Sequence, residues 1–139
     1  MSRYAAFLRG MNVGGHRLVA LPEFGYEAVK IGAGPPPIRV DEGWLLIHHG
    51  VAGTLAQGWG PQQDLRYSAG AMLLDGDDPG TVIARTSEPL LEPATAAEQS
   101  GPVPNVVFPT ATEVIDGRRF VFYGMADSRI GMALLDHLT

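Results

Sequence analysis

A chain of 139 residues with 45% hydrophobic content has the length of one domain and enough apolar mass to bury a core. Charged residues make up 18%, the net charge is −5, and no run of Lys or Arg offers the electrostatic footprint that nucleic acid or an anionic membrane surface needs. The chain has no cysteine, which excludes a disulfide framework and any thiolate-held metal, and it has no apolar run of the roughly 18 residues a membrane span needs; with no secretory signal pattern either, a cytoplasmic location is expected.

The 18 glycines and 11 prolines, without a sustained 3.6-residue apolar period, predict short strands joined by tight turns. The first strand is expected at Tyr4 to Leu8. Next comes Gly32-Ala-Gly34, which could suggest a phosphate-cradling dinucleotide loop. Pro35-Pro36-Pro37 argues against it, because three consecutive residues without N–H donors and with fixed φ cannot open the helix such a loop requires. Strands follow at Pro37 to Val40 and Gly43 to His49, with Asp41-Glu42-Gly43 as the turn between them. Adjacent strand residues point to opposite faces, so His48 and His49 cannot easily share one metal ion, and no metal site is expected.

Further along, a strand is predicted at Tyr67 to Leu74, followed by Asp75-Gly-Asp-Asp-Pro79, which reads as a turn because it lacks the acidic spacing of a calcium loop. Thr81 to Thr86 is the next strand, and Glu92 to Gln99 is the plausible helical segment. Val106 to Ile115 and Arg119 to Tyr123 form a hairpin about Asp116-Gly117, and Arg129 to Leu135 closes the series. Asp127, in the loop after Tyr123-Gly-Met-Ala, suits either a turn cap or a carboxylate presented to a ligand.

The chain also repeats itself. Ile38 to Gly50 followed by Ser68 to Asp75 has a counterpart in Glu113 to Gly124 followed by Ile130 to Asp136. Each copy reads strand, tight turn, apolar strand ending in an aromatic or His before Gly, and a third strand ending Leu-Leu-Asp. Two β-meanders in succession are the signature of propeller blades or a related all-β array.

Six segments then resemble successive motifs of glycoside hydrolase family 130: Lys30-Ile-Gly-Ala-Gly-Pro-Pro-Pro-Ile-Arg39, Glu42-Gly-Trp-Leu-Leu-Ile-His-His-Gly-Val51, Gly70-Ala-Met-Leu-Leu-Asp75, Val82-Ile-Ala-Arg-Thr-Ser-Glu-Pro89, Val103-Pro-Asn-Val-Val-Phe-Pro109 and Tyr123-Gly-Met-Ala-Asp127. The resemblance implies an all-β fold, about two four-stranded blades of a five-bladed β-propeller, over residues 25 to 137. It implies mannoside phosphorolysis with inversion, phosphate attacking the anomeric carbon and an Asp general acid protonating the leaving oxygen. Lys30 and His49 match the family's phosphate-site lysine and histidine, and His48, standing where that motif has tyrosine, is implied as a third phosphate-binding residue. Asp127, with Asn105 and Tyr123, matches the sugar side. Inorganic phosphate as co-substrate and a mannoside are then the implied partners, with no further cofactor.

The segment carrying the family's general acid finds no counterpart in this sequence, so the isolated chain is expected to be inactive. Tyr4 to His16 resembles instead the opening of an unrelated bacterial α/β domain family, which sets a junction near Leu21-Pro22-Glu23 between a foreign segment, 1–22, and propeller sequence, 23–139. A non-catalytic sugar- or phosphate-binding remnant, and a fused gene product without function, are the other expectations. Uncovered blade edges would favour a homo-oligomer.

Overall fold

A computed structural model describes residues 23–54 and 64–135. The strand expected at Tyr4 to Leu8 and the terminal Asp136 lie outside these residues. The described chain is almost wholly β: a single 3₁₀ turn η1 (Gly25–Glu27), then β1 (Lys30–Ala33), β2 (Ile38–Val40), β3 (Gly43–Gly53), β4 (Leu65–Leu74) and β5 (Val82–Arg85). A one-turn helix α1 (Ala96–Gln99) precedes β6 (Val107–Ile115), β7 (Arg118–Met125) and β8 (Arg129–Leu134). No helix among the described residues is long and apolar enough to cross a membrane.

The strands form two antiparallel sheets. In the first, β3 is central, with β4 on one side and β1 and β2 sharing the other; β5 extends the sheet beyond β4. The second is the three-stranded meander β6-β7-β8. The propeller reading is sustained, since each sheet is a meander of the kind the repeat predicts, but the second blade has three described strands instead of four.

Local chemistry explains the pairing. Asp116 (φ 51°) and Gly117 (φ 75°) both take the left-handed backbone that a two-residue hairpin turn demands, as predicted for the β6–β7 turn. The β6 register shifts between Pro109 and Ala111. Pro109 has no N–H to give the ladder, and a bulge is where a strand accommodates that.

The element absent from the sequence reading is β1. Gly32-Ala33-Gly34 before three prolines reads as loop, yet Lys30–Ala33 pairs with His48–Val51, and the Gly34 N–H donates to the Ile47 carbonyl at 3.1 Å. Strand β3 also runs four residues past His49, because Gly50 to Gly53 stay paired with β4. The helix is half its expected length.

Both faces of β3 are covered. Leu45 and Ile47 pack with Ala71 and Val121, and Ala69 packs with Val107 and Tyr123, which joins the two sheets. On the opposite face Leu46, Met72 and Leu74, 0–1% exposed, form a second cluster with Ile31, Trp44 and Val82. Each such aliphatic side chain contributes on the order of 1.5–3 kcal/mol through burial. A short parallel bridge, Tyr67 to Val106, and the hydrogen bond from Tyr67 N–H to the Asn105 carbonyl (2.9 Å) tie β4 to the start of β6. That tie places the site.

Candidate functional site

Register decides which side chains meet. Lys30 pairs with Val51 and Val51 with Tyr67, while Gly32 pairs with His49. Cross-strand partners share a face, so Lys30, His49 and Tyr67 project from one face of the first sheet. The Lys30 ammonium lies 5.5 Å from the centre of the Tyr67 ring, and the His49 imidazole stacks on the same ring at 6.1 Å. Phe108, from the second sheet, closes the corner at 4.3 Å from His49. Lys30 itself is exposed.

The imidazole is held neutral. Its pKa is pushed down to about 4, first by burial and then by the neighbouring charge of Lys30. The half-buried neutral imidazole, hydrogen-bonded to the Ala33 backbone, stands beside one exposed, fixed cation. The corner thus sets the chain's exposed Lys30 charge against an uncharged ring.

Two strained segments adjoin this corner. Asn105 sits at φ 59°, a conformation asparagine tolerates, and its carbonyl is bound by the Tyr67 N–H. After β7 the chain turns through Ala126 (φ 46°) and Asp127 (φ 54°), both left-handed without being glycine. The turn is pinned: the Ala126 N–H donates to the Val106 carbonyl (3.2 Å) and Ser128 N–H to the Met125 carbonyl (3.0 Å). Such backbone costs on the order of 1–3 kcal/mol per residue and concentrates where a side chain must be presented. Asp127 is exposed at its tip. Since Val107 pairs with Met125, Asn105 and Asp127 each lie two residues beyond the same end of the β6–β7 ladder.

The structure therefore brings Lys30 and His49 together and sets Asn105 and Asp127 on the adjoining turns. It does not bring His48 to them. His48 points from the opposite face of β3, fully buried, and its Nε2 donates to the Glu27 carboxylate at 2.8 Å. The Tyr26 hydroxyl lies 3.3 Å from the same nitrogen and donates to the Thr86 carbonyl at 3.1 Å. Arg85 binds Glu27 (2.7 Å) and Glu23 (3.0 Å), which completes the network. Tyr123 is buried between the sheets, and its hydroxyl donates to Glu98 at 2.9 Å.

Tyr67 and Phe108 were not singled out by sequence reasoning. Both lie in predicted strands, Tyr67 at the very start of its own, where no local pattern marks it as facing Lys30 and His49. Among the described residues no group of three or more His, Asp or Glu is placed to hold a metal. A cleft of about 460 Å³ lined by Pro36, Pro37, Ile38, Arg39 and Thr112 lies apart from these residues.

Comparison with known proteins gives one answer. Residues 14–138 match the family model of glycoside hydrolase family 130, described as beta-1,4-mannooligosaccharide phosphorylase. The match begins upstream of the junction expected near Leu21. The chain is 42% identical over 122 residues to the beta-1,4-mannooligosaccharide phosphorylase of Ruminococcus albus, covering 86% of this chain and 34% of that protein. It is 41% identical over 111 residues to a 1,2-beta-oligomannan phosphorylase of Thermoanaerobacter sp. (strain X514), covering 80% and 34%. Among solved structures, the beta-1,2-mannobiose phosphorylase of Listeria innocua in complex with beta-1,2-mannobiose superposes with a TM-score of 0.65 at 34% identity, over 86% of this chain and 30% of that one. The chain thus spans about a third of the length of the relatives it matches.

Proposed function

This chain belongs to glycoside hydrolase family 130, and from that premise we propose that it carries the phosphate-holding corner and part of the sugar-contacting surface of a mannoside phosphorolysis site. The observation that carries the reading is the convergence of Lys30 and His49 on the Tyr67 ring, on one face of one sheet. The relatives compared above are phosphorylases of mannosides. In the reaction so read, a phosphate oxygen forms a bond to the anomeric carbon as the glycosidic C–O bond breaks on the opposite side. The departing oxygen takes a proton from a general acid, and inversion yields mannose 1-phosphate.

Lys30 supplies the fixed positive charge for the phosphate, and His49 lines the same corner as the polar ring beside it. Asp127 and Asn105, on rigid left-handed turns, contact the sugar, and Tyr123 supports that side from beneath through Glu98. His48 serves the proposal only indirectly, by fixing the strand that carries His49. No proton donor is assigned to the described residues, and no cofactor beyond phosphate is invoked. The proposal places the chemistry in the cytoplasm, where a chain without cysteine needs no oxidising environment. Self-association would use the β8 edge, where Ile130 and Met132 are 79% and 55% exposed.

Calorimetric titration of the chain with inorganic phosphate, paired with an assay for mannose 1-phosphate from β-1,4- and β-1,2-mannobiose, tests this. Saturable phosphate binding with no product from the chain alone is expected. Absence of phosphate binding at tens of millimolar overturns the reading of the corner, and product release by the isolated chain overturns its catalytic incompleteness.

A further inference from the structure

The corner that holds Lys30 and His49 is built from more than its two polar groups. Lysine is a flexible chain ending in a compact charge, and an exposed one spreads over many rotamers. Here its ammonium rests over an aromatic face, where the ring quadrupole favours the cation. The same Tyr67 ring stacks on His49 with an interplanar angle of 30°. Val51, fully buried, lies between Lys30 and Tyr67 in the register and forms the floor over which the two side chains meet.

The imidazole is confined on two further sides. Phe108 approaches from the second sheet at 4.3 Å, so the ring is gripped between the sheets. On β1, a Cβ at residue 32 would lie 2.5 Å from Cε1 and 2.7 Å from Nε2 of His49. Real carbon contacts do not come that close, and any side chain at 32 would drive the ring out of the corner. Gly32 is therefore the space the imidazole occupies, which accounts for a glycine inside a strand. The Nδ1 atom of His49 is buried and has no hydrogen-bond partner. No polar side chain orients this ring; aromatic packing does, together with a hydrogen bond to the Ala33 backbone on β1.

We infer that Tyr67 is a positioning residue of the anion site: its ring, backed by Phe108 and given room by Gly32, fixes where the Lys30 ammonium and the His49 imidazole point. The inference rests on the reading of Lys30 and His49 as phosphate ligands and extends it to residues that touch no phosphate. Binding then gains from preorganisation, since neither side chain needs to be ordered when the anion arrives.

The test uses the full 139-residue chain, inorganic phosphate as the probe, and NMR of the histidine rings and lysine side chains. Tyr67→Leu should weaken phosphate binding by about 3–10-fold, the range expected for losing one cation–π contact and its ordering. It should also raise the His49 pKa from about 4 toward the ordinary 6.5 and remove the upfield ring-current shift of the Lys30 Hε protons. Tyr67→Phe keeps the ring face and should restore both the binding and the shift, which a general loss of stability would not do. Gly32→Ala, on β1, should weaken binding at least as much and is the variant to use if Tyr67→Leu does not fold. Phosphate binding that Lys30→Met abolishes but Tyr67→Leu and Gly32→Ala leave at the wild-type level overturns this inference alone. A wild-type chain that binds no phosphate overturns the underlying reading of the corner, and the inference with it.

Discussion

His48 and His49 are chain neighbours on β3, and the strand sends them into opposite kinds of surroundings. His48 enters a closed polar network: Glu27 accepts its Nε2–H, Arg85 binds Glu27, and Tyr26 packs alongside at 6.1 Å between ring centres. His49 enters an aromatic corner beside an exposed lysine. Both imidazoles have a pKa below the ordinary value with burial as the largest cause, but the Glu27 carboxylate opposes the shift at His48 whereas the Lys30 charge adds to it at His49. The same residue type on one strand therefore sits in a closed polar network on one face and beside an exposed cation on the other. The difference lies in which neighbour is charged, and with what sign.

The polar face breaks most dramatically. Glu27, with no exposed surface, accepts hydrogen bonds from the Glu23 and Phe24 N–H groups (3.0 and 3.3 Å) and from both His48 and Arg85. Burial alone would raise its pKa; those hydrogen bonds outweigh the effect and hold it below the usual carboxylate value. Glu27→Ala leaves the nearly buried Arg85 short of its main counter-charge and should cost about 3–5 kcal/mol, a large share of a small domain's stability. Urea unfolding followed by tryptophan fluorescence measures it, and a loss below about 1 kcal/mol would mean the network is incidental.

Little of that network could be read from the sequence, and the reason is physical. Alternation gave the opposite faces of His48 and His49, and the apolar runs and the Asp116-Gly117 turn gave the hairpins, since both depend on local backbone geometry. Glu27 lies in Gly25–Glu27, a turn too short to show any periodicity, and its partners His48 and Arg85 come from β3 and β5. A faint signal existed: Pro22 and Glu27 are spaced like Pro93 and Glu98. In both places the glutamate is buried and accepts N–H bonds from residues three and four positions earlier, with Glu98 binding Ala94 and Thr95 at 2.9 and 2.8 Å. The repeat thus reaches further than its strands. Strand β1 was hidden for a related reason, because the glycine that makes Gly32-Ala-Gly34 look like loop is required by a ring on the neighbouring strand. The Lys30 and His49 pair was legible through family resemblance, and Tyr67 between them was not.

Acid should sharpen the comparison from both sides at once, with a smaller effect. Each lowered pKa means that the unfolded chain takes up protons at a higher pH than the fold does, so stability is present above the unfolded value and is lost as pH falls. For His49 the window runs from about 6.5 down to about 4, and His48 begins to act against the fold from the same upper limit. Glu27 adds its loss below its ordinary 4.5. The His49 share is on the order of 1–3 kcal/mol. Urea midpoints should be flat above pH 7 and fall steadily from pH 6.5 to 4, and His49→Phe should flatten the upper part of that fall. A midpoint independent of pH across this range contradicts the burial assigned to both rings.

The smallest expected effect on stability belongs to the residue on which the proposed function depends most. Lys30 is exposed, at the start of β1, and its one aromatic contact is worth about 0.5–1 kcal/mol at such a site. Lys30→Met keeps the side-chain length and much of the packing on Tyr67, so the unfolding free energy should change by less than about 0.5 kcal/mol. Two further consequences separate this substitution from Glu27→Ala. Removing the neighbouring cation should let the His49 pKa rise, because the Lys30 charge is the second cause of its depression after burial. Phosphate binding should disappear, since no other ammonium stands over the Tyr67 ring among the described residues. A chain that is as stable as wild type, carries a more basic His49 and no longer binds phosphate would place the division between scaffold and site within one dipeptide of β3. A Lys30→Met chain that still binds phosphate would return both histidines to the scaffold.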